Sequence, residues 1–181
     1  MPHPLARTRL DAPELKRLPV APAVSADGLV EGYASLFGVV DLGRDRVERG
    51  AFAKSLAARG PRGVRFLFQH DPAEPIGAWR ALAEDSRGLR VAGRLNMAVA
   101  RAREVHALLR QGALDGLSIG FRAVRSVREA GGVRRLTEID LWEISVVTFP
   151  MLPDARIAAV KRGILHPSRR LSAALSPEAD R

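Results

Sequence analysis

Two long runs of strand-forming residues, 117–127 and 133–149, lie on either side of Glu129-Ala130-Gly131-Gly132. No other stretch restricts the fold as much. Their β-branched and apolar content suits a pleated, half-buried surface, and the glycine pair supplies a hairpin turn. Shorter runs at 28–40 and 64–69 extend the strand signal, and 76–83 and 89–95 form a second pair around Ser86-Arg87-Gly88. Two helices interrupt this pattern. Residues 51–58 set Phe52 and Leu56 four apart on one face. Residues 98–111 carry the stripe Ala98, Ala102, Val105 and Leu109, with Leu108 beside it, Asn96 as a start signal and Gly112 as a stop. The sum predicts a strand-dominated α+β domain, a closed or nearly closed β-barrel flanked by helices. The chain is 46% hydrophobic but only 5% aromatic, so Val, Ile, Leu and Ala must fill most of its core.

The 181 residues suit one domain with tails. Five prolines punctuate residues 1–27, which read as an extended lead-in with an edge strand near residues 15–20. Residues 28–164 form the domain, and 165–181 read as a flexible C-terminal tail. The basic N-terminus is followed by no apolar stretch, which argues against a secretory signal, and no run approaches the ~20 apolar residues of a membrane span. With no cysteine, disulfides and thiol chemistry are excluded. The net charge of +9 comes from scattered arginines. A single-strand nucleic-acid binder stacks bases on exposed aromatics, and the few aromatics here sit mostly in apolar runs, so nucleic acid is not the expected partner. No HExxH motif, and no clustered His/Asp set beyond His70-Asp71, calls for a metal, and no cofactor is expected.

Three residues stand out chemically. His70 ends the run 64–69 and precedes Asp71-Pro72, where the chain must turn; His3 and His166 lie in the tails, and His106 sits off its helix's apolar stripe and is expected to be exposed. Ser118 lies between Gly116 and Gly120, which leave space beside its hydroxyl for another backbone or a substrate. The spacing matches G-x-S-x-G, but the flanks run helix to strand, which argues against an α/β-hydrolase elbow. Glu143 is a lone carboxylate in an apolar strand, costly to bury without a partner such as histidine. A turn centred between Ala130 and Gly131 would set Ser118 directly opposite Glu143, with Cβ atoms ~5 Å apart, and a slip of one residue would turn Glu143 to the other face.

The ordered segments GYASLFGVVD, ERGAFAKSLA, VRFLFQHDPAEPIGAW, GLSIGFRA and LWEISVVTFPMLPDARI resemble the prohead (head-maturation) serine proteases of tailed bacteriophages. The resemblance spans about residues 29–160. It implies a fold similar to the herpesvirus assembly protease, with Ser118 as nucleophile and His70 as general base. It also puts Glu143 where the third catalytic residue is expected, with Asp140 and Asp71 as acidic alternatives. Backbone amides near residues 151–156 are the candidate oxyanion donors. The implied substrates are the major capsid protein with its scaffolding segment, and the protease itself, which implies self-association and autoprocessing. The implied location is the assembling prohead in the bacterial cytoplasm, for a phage or a related gene-transfer-agent particle. The competing expectation is a catalytically silent, scaffold-binding assembly factor of the same fold.

Overall fold

The computed structural model describes residues 24–158. The expected edge strand near residues 15–20, His3, His166 and the tail 165–181 lie outside the described residues. Seven strands and two α-helices follow one another: β1 (Leu29–Leu36), β2 (Asp45–Val47), α1 (Ala53–Arg59), β3 (Arg65–Phe68), β4 (Asp71–Glu84), β5 (Gly88–Leu95), α2 (Ala100–Arg110), β6 (Gly116–Arg128) and β7 (Arg134–Val147).

All seven strands belong to one curled sheet, in the order β1-β5-β4-β3-β7. Both β2 and β3 run parallel to β7, and β6 pairs antiparallel with it. The sheet does not close. No named strand pairs β1 with β6, and the expectation of a closed or nearly closed barrel is corrected to an open, curled sheet. Among the described residues the segment 155–158 fills the gap, bridged to β1 at Gly32–Ile157 and to β6 at Gly116–Arg156, with Tyr33 N–H on the Arg156 carbonyl and Leu117 N–H on the Ala155 carbonyl. The first residues of β6 therefore meet this segment, and not β1, along the edge that β7 leaves free.

The core fills the concave side of the sheet. Phe66 and Trp79 stack with ring centroids 4.0 Å apart, and Phe52 at the start of α1 packs against Phe37. Helix α2 buries Ala102, Val105 and Leu109 of its predicted stripe, while Ala98 lies exposed before the helix begins. It also buries His106, whose Nε2 lies 3.0 Å from the Ser25 carbonyl, so the expectation that His106 is exposed is overturned. The ring ties the start of the described chain to this helix. Asn96 bonds the Ala98 amide, but the N-cap position falls at Val99, which makes no side-chain cap.

Candidate active site

β3 ends at Phe68, and β4 begins at Asp71, directly opposite Phe68. Gln69 and His70 are therefore the two central residues of a tight hairpin, and both have positive φ, 54° and 61°. That pattern is the one hairpin twist favours, but it suits Asn and Gly far better than Gln and His. The turn is held from outside. Gln69 N–H donates to the Val146 carbonyl (2.9 Å), and its side-chain amide donates to Thr148 Oγ1 (2.6 Å). His70 N–H donates to Ser145 Oγ (3.1 Å).

The β6–β7 register differs from the simple hairpin expectation. Ser118 pairs with Ser145, and Gly120 pairs with Glu143. Two effects add. The turn closes with Glu129 N–H on the Val133 carbonyl, which recentres it on Gly131. Farther along, Trp142 is skipped by the ladder as a bulge. In an unbroken strand Leu141 and Glu143 would share a face. The bulge separates them: Leu141, Ile144 and Val146 join the core, while Glu143 and Ser145 take the opposite face. Leu117, Ile119 and Phe121 likewise pack on the core, leaving Ser118 and Gly120 on the face shared with Glu143.

On that face His70 Nδ1 lies 2.6 Å from Glu143 Oε1, and Ser145 Oγ donates to Glu143 Oε2 at 2.6 Å. The hydrogen bond to Glu143 holds the imidazole above its ordinary pKa; partial burial opposes this, and the carboxylate's charge reinforces it. Among the acidic alternatives, Asp140 is bound by Trp142 Nε1 (2.8 Å) and by Arg59 (2.7 and 2.9 Å), and Asp71 accepts the Ala73 amide. Glu143 is the one of the three that contacts His70.

Ser118 is 5% exposed and stands one same-face step, ~7 Å along β6, from the seat of the Glu143 carboxylate over Gly120. Among the described residues its hydroxyl is not hydrogen-bonded to His70, whose contacts are those to Glu143 and Ser145. The space expected beside Gly116 and Gly120 is already filled. A Cβ on Gly116 would meet the Val147 carbonyl at 2.7 Å and the Pro150 ring at 2.9 Å, and one on Gly120 would meet the Glu143 carboxylate. An apolar cavity of about 130 Å³ opens at the β1–β6 gap, bordered by Leu36, Val39, Ser118, Ile119, Phe121 and Met151. In the loop after β7, Ala155 N–H is spent on the Leu152 carbonyl.

Sequence reasoning missed Ser145 and Gln69. Ser145 had a readable signal: a second polar residue two positions after Glu143 in an otherwise apolar strand shares its face in a regular ladder. Gln69 had none. Among the described residues no cluster of His, Cys, Asp and Glu is arranged to hold a metal ion, and no helix is long and apolar enough to cross a membrane.

Comparison with known proteins adds three findings. The caudovirus prohead serine protease family matches residues 17–169. The prohead protease of Enterobacteria phage HK97 is 38% identical over 138 residues, which cover 74% of this chain and 60% of that relative's length. Among solved structures, the capsid assembly protease of bacteriophage T4 superposes with a TM-score of 0.60 at 14% identity, over 72% of this chain and 94% of that one. KSHV protease, solved with a hexapeptide phosphonate inhibitor, gives 0.49 at 15% identity, over 71% and 63% of the two chains.

Proposed function

The chain belongs to the caudovirus prohead serine protease family, and from that premise we propose that it is a serine endopeptidase using Ser118, His70 and Glu143. The observation that carries this reading is the 2.6 Å contact between His70 and Glu143 on the face of the sheet that also bears Ser118. Glu143 accepts from Nδ1–H, which leaves Nε2 as the lone-pair nitrogen. As Ser118 Oγ bonds to a substrate carbonyl carbon, its proton passes to His70 Nε2. The imidazolium then returns that proton to the leaving amine as the C–N bond breaks. Water, deprotonated by the same ring, hydrolyses the ester and restores Ser118. The missing hydrogen bond between Ser118 and His70 is compatible with this, because such contacts commonly tighten only when substrate binds.

The substrates we infer are capsid-type proteins carrying a scaffolding segment and the chain itself, cut within an assembling prohead. The protease domain is assigned to residues 28–164, and the C-terminal tail 165–181 is the inferred self-cleavage target or scaffold tether. The support is family membership and the relative's own name.

A fluorophosphonate probe tests the chemistry directly. Labelling of the assembled wild type that maps to Ser118 by mass spectrometry, and is lost in Ser118→Ala, is the expected result. Particles that mature normally with Ser118→Ala would instead make the chain a silent assembly factor.

A further inference from the structure

We propose that Ser145 is a positioning residue for this reaction, one hydroxyl that locks the carboxylate of Glu143 and the turn bearing His70 to each other. The inference rests on the catalytic reading above. Ser145 is fully buried, 0% exposed, near the C-terminal end of β7, with Leu67 of β3 opposite it on one side and Ser118 of β6 on the other. A buried hydroxyl is costly unless its hydrogen-bonding capacity is used. Here both directions are used: Oγ–H donates to Glu143 Oε2 (2.6 Å), and the oxygen accepts from His70 N–H (3.1 Å).

Each of these contacts removes a freedom the catalytic pair would otherwise have. A carboxylate gripped at one oxygen can swing about its last torsion; gripped at both, by His70 on Oε1 and Ser145 on Oε2, it has one orientation. The turn needs support because two consecutive non-glycine residues sit at positive φ. The contacts of Gln69 reach Val146 of β7 and Thr148 just beyond its end. Only the His70 amide bond ends on the atom that also holds Glu143. The main chain of His70 directly, and its ring through Glu143, are therefore both referred to one serine. Ser145 is not a second nucleophile: it is inaccessible, and its proton is committed to Glu143.

The test compares Ser145→Thr with Ser145→Val, which share one shape and differ in the hydroxyl, alongside Ser145→Ala and wild type. Two quantities are read: the rate of fluorophosphonate labelling at Ser118, and the NMR signal of the His70 Nδ1 proton, which needs no turnover. The hydroxyl is expected to make the Thr variant label about tenfold to hundredfold faster than the Val variant, the range of one hydrogen bond to a charged group. The Nδ1 proton should remain hydrogen-bonded in the Thr variant and be lost or shifted upfield in the Val and Ala variants. Equal labelling of Thr and Val variants, or a His70 signal indifferent to the hydroxyl, overturns the proposal. A probe adduct on Ser145 overturns it too. If wild type fails to label while the His70 signal still follows the hydroxyl, the positioning contact stands and the protease reading fails.

Discussion

The carboxylate of Glu143 occupies the space in which any side chain at position 120 would begin: Oε1 lies 2.0 Å from where a Cβ on Gly120 would stand, and Cδ lies 2.7 Å from it. Glycine at this position is therefore the seat of the acid. A Cβ at 120 would push aside the end of a flexible side chain and leave the backbone ladder alone. Gly120→Ala is expected to fold with a lowered melting temperature, and to lose about tenfold or more in labelling rate as Glu143 leaves His70. Thermal melts and labelling kinetics on one preparation check this; a fully active Gly120→Ala would mean the carboxylate's placement is irrelevant to the chemistry.

Ser118→Ala removes the proposed nucleophile while trimming a single oxygen from a nearly buried site. Proteolysis should fall by about 10⁴-fold or more, with stability changed by about 1 kcal/mol or less. A scaffold-cleavage assay paired with urea denaturation measures both.

The carboxylates of Asp140 and Glu143 separate cleanly by mutation. Asp140→Asn loosens Arg59 and Trp142, neither of which is hydrogen-bonded to His70, so labelling should stay within about twofold of wild type. Glu143→Gln should lower it by about 10²-fold or more, the pattern expected when the group that orients a catalytic histidine is neutralised. The reverse ranking, read from labelling rates, would move the third role to Asp140.

His70 titrates above the ordinary histidine value of ~6.5, chiefly because of its hydrogen bond to Glu143. A general base works when neutral, so the rate should rise with pH through that raised pKa. In Glu143→Gln the acidic limb should move to lower pH while the plateau drops. The same shift bears on stability. Because the folded-state pKa is raised, the pair's contribution is fully present below the unfolded value of ~6.5 and is lost as pH rises through the folded one. The melting-temperature gap between wild type and Glu143→Gln should therefore be wider at pH 6 than at pH 9. A gap that widens with pH would contradict the assignment.

Trp79 lies across the base of β3, stacked on Phe66 and donating to the Arg65 carbonyl at 3.2 Å. Trp79→Ala should cost about 3–5 kcal/mol in urea denaturation, the usual range for emptying an aromatic core site. Because β3 carries the His70 turn, labelling at sub-denaturing urea should fall before global unfolding.

Much of the fold was legible along the chain, because local periodicity and turn chemistry act within a few residues. The β6–β7 hairpin, the β4–β5 pair and the stripe of α2 all correspond to observed elements. Sheet closure was not legible, since it depends on which edge of β6 is left unpaired after the whole sheet has curled. The fate of His106 was not legible either: its ring meets the carbonyl of Ser25, 81 residues away.

For the site, the sequence by itself determined the ingredients: an imidazole at the end of a strand, a hydroxyl between two glycines, and a carboxylate too costly to leave alone among apolar neighbours. Each follows from residue type and immediate context. Tertiary structure decided how they meet. The recentred turn alone would have carried Glu143 toward the core; the bulge at Trp142 returned it to the face of Ser118, two residues from the expected register. A bulge is chosen by how two strands, β3 and β6, pack against the same β7, and no window along one strand contains that information.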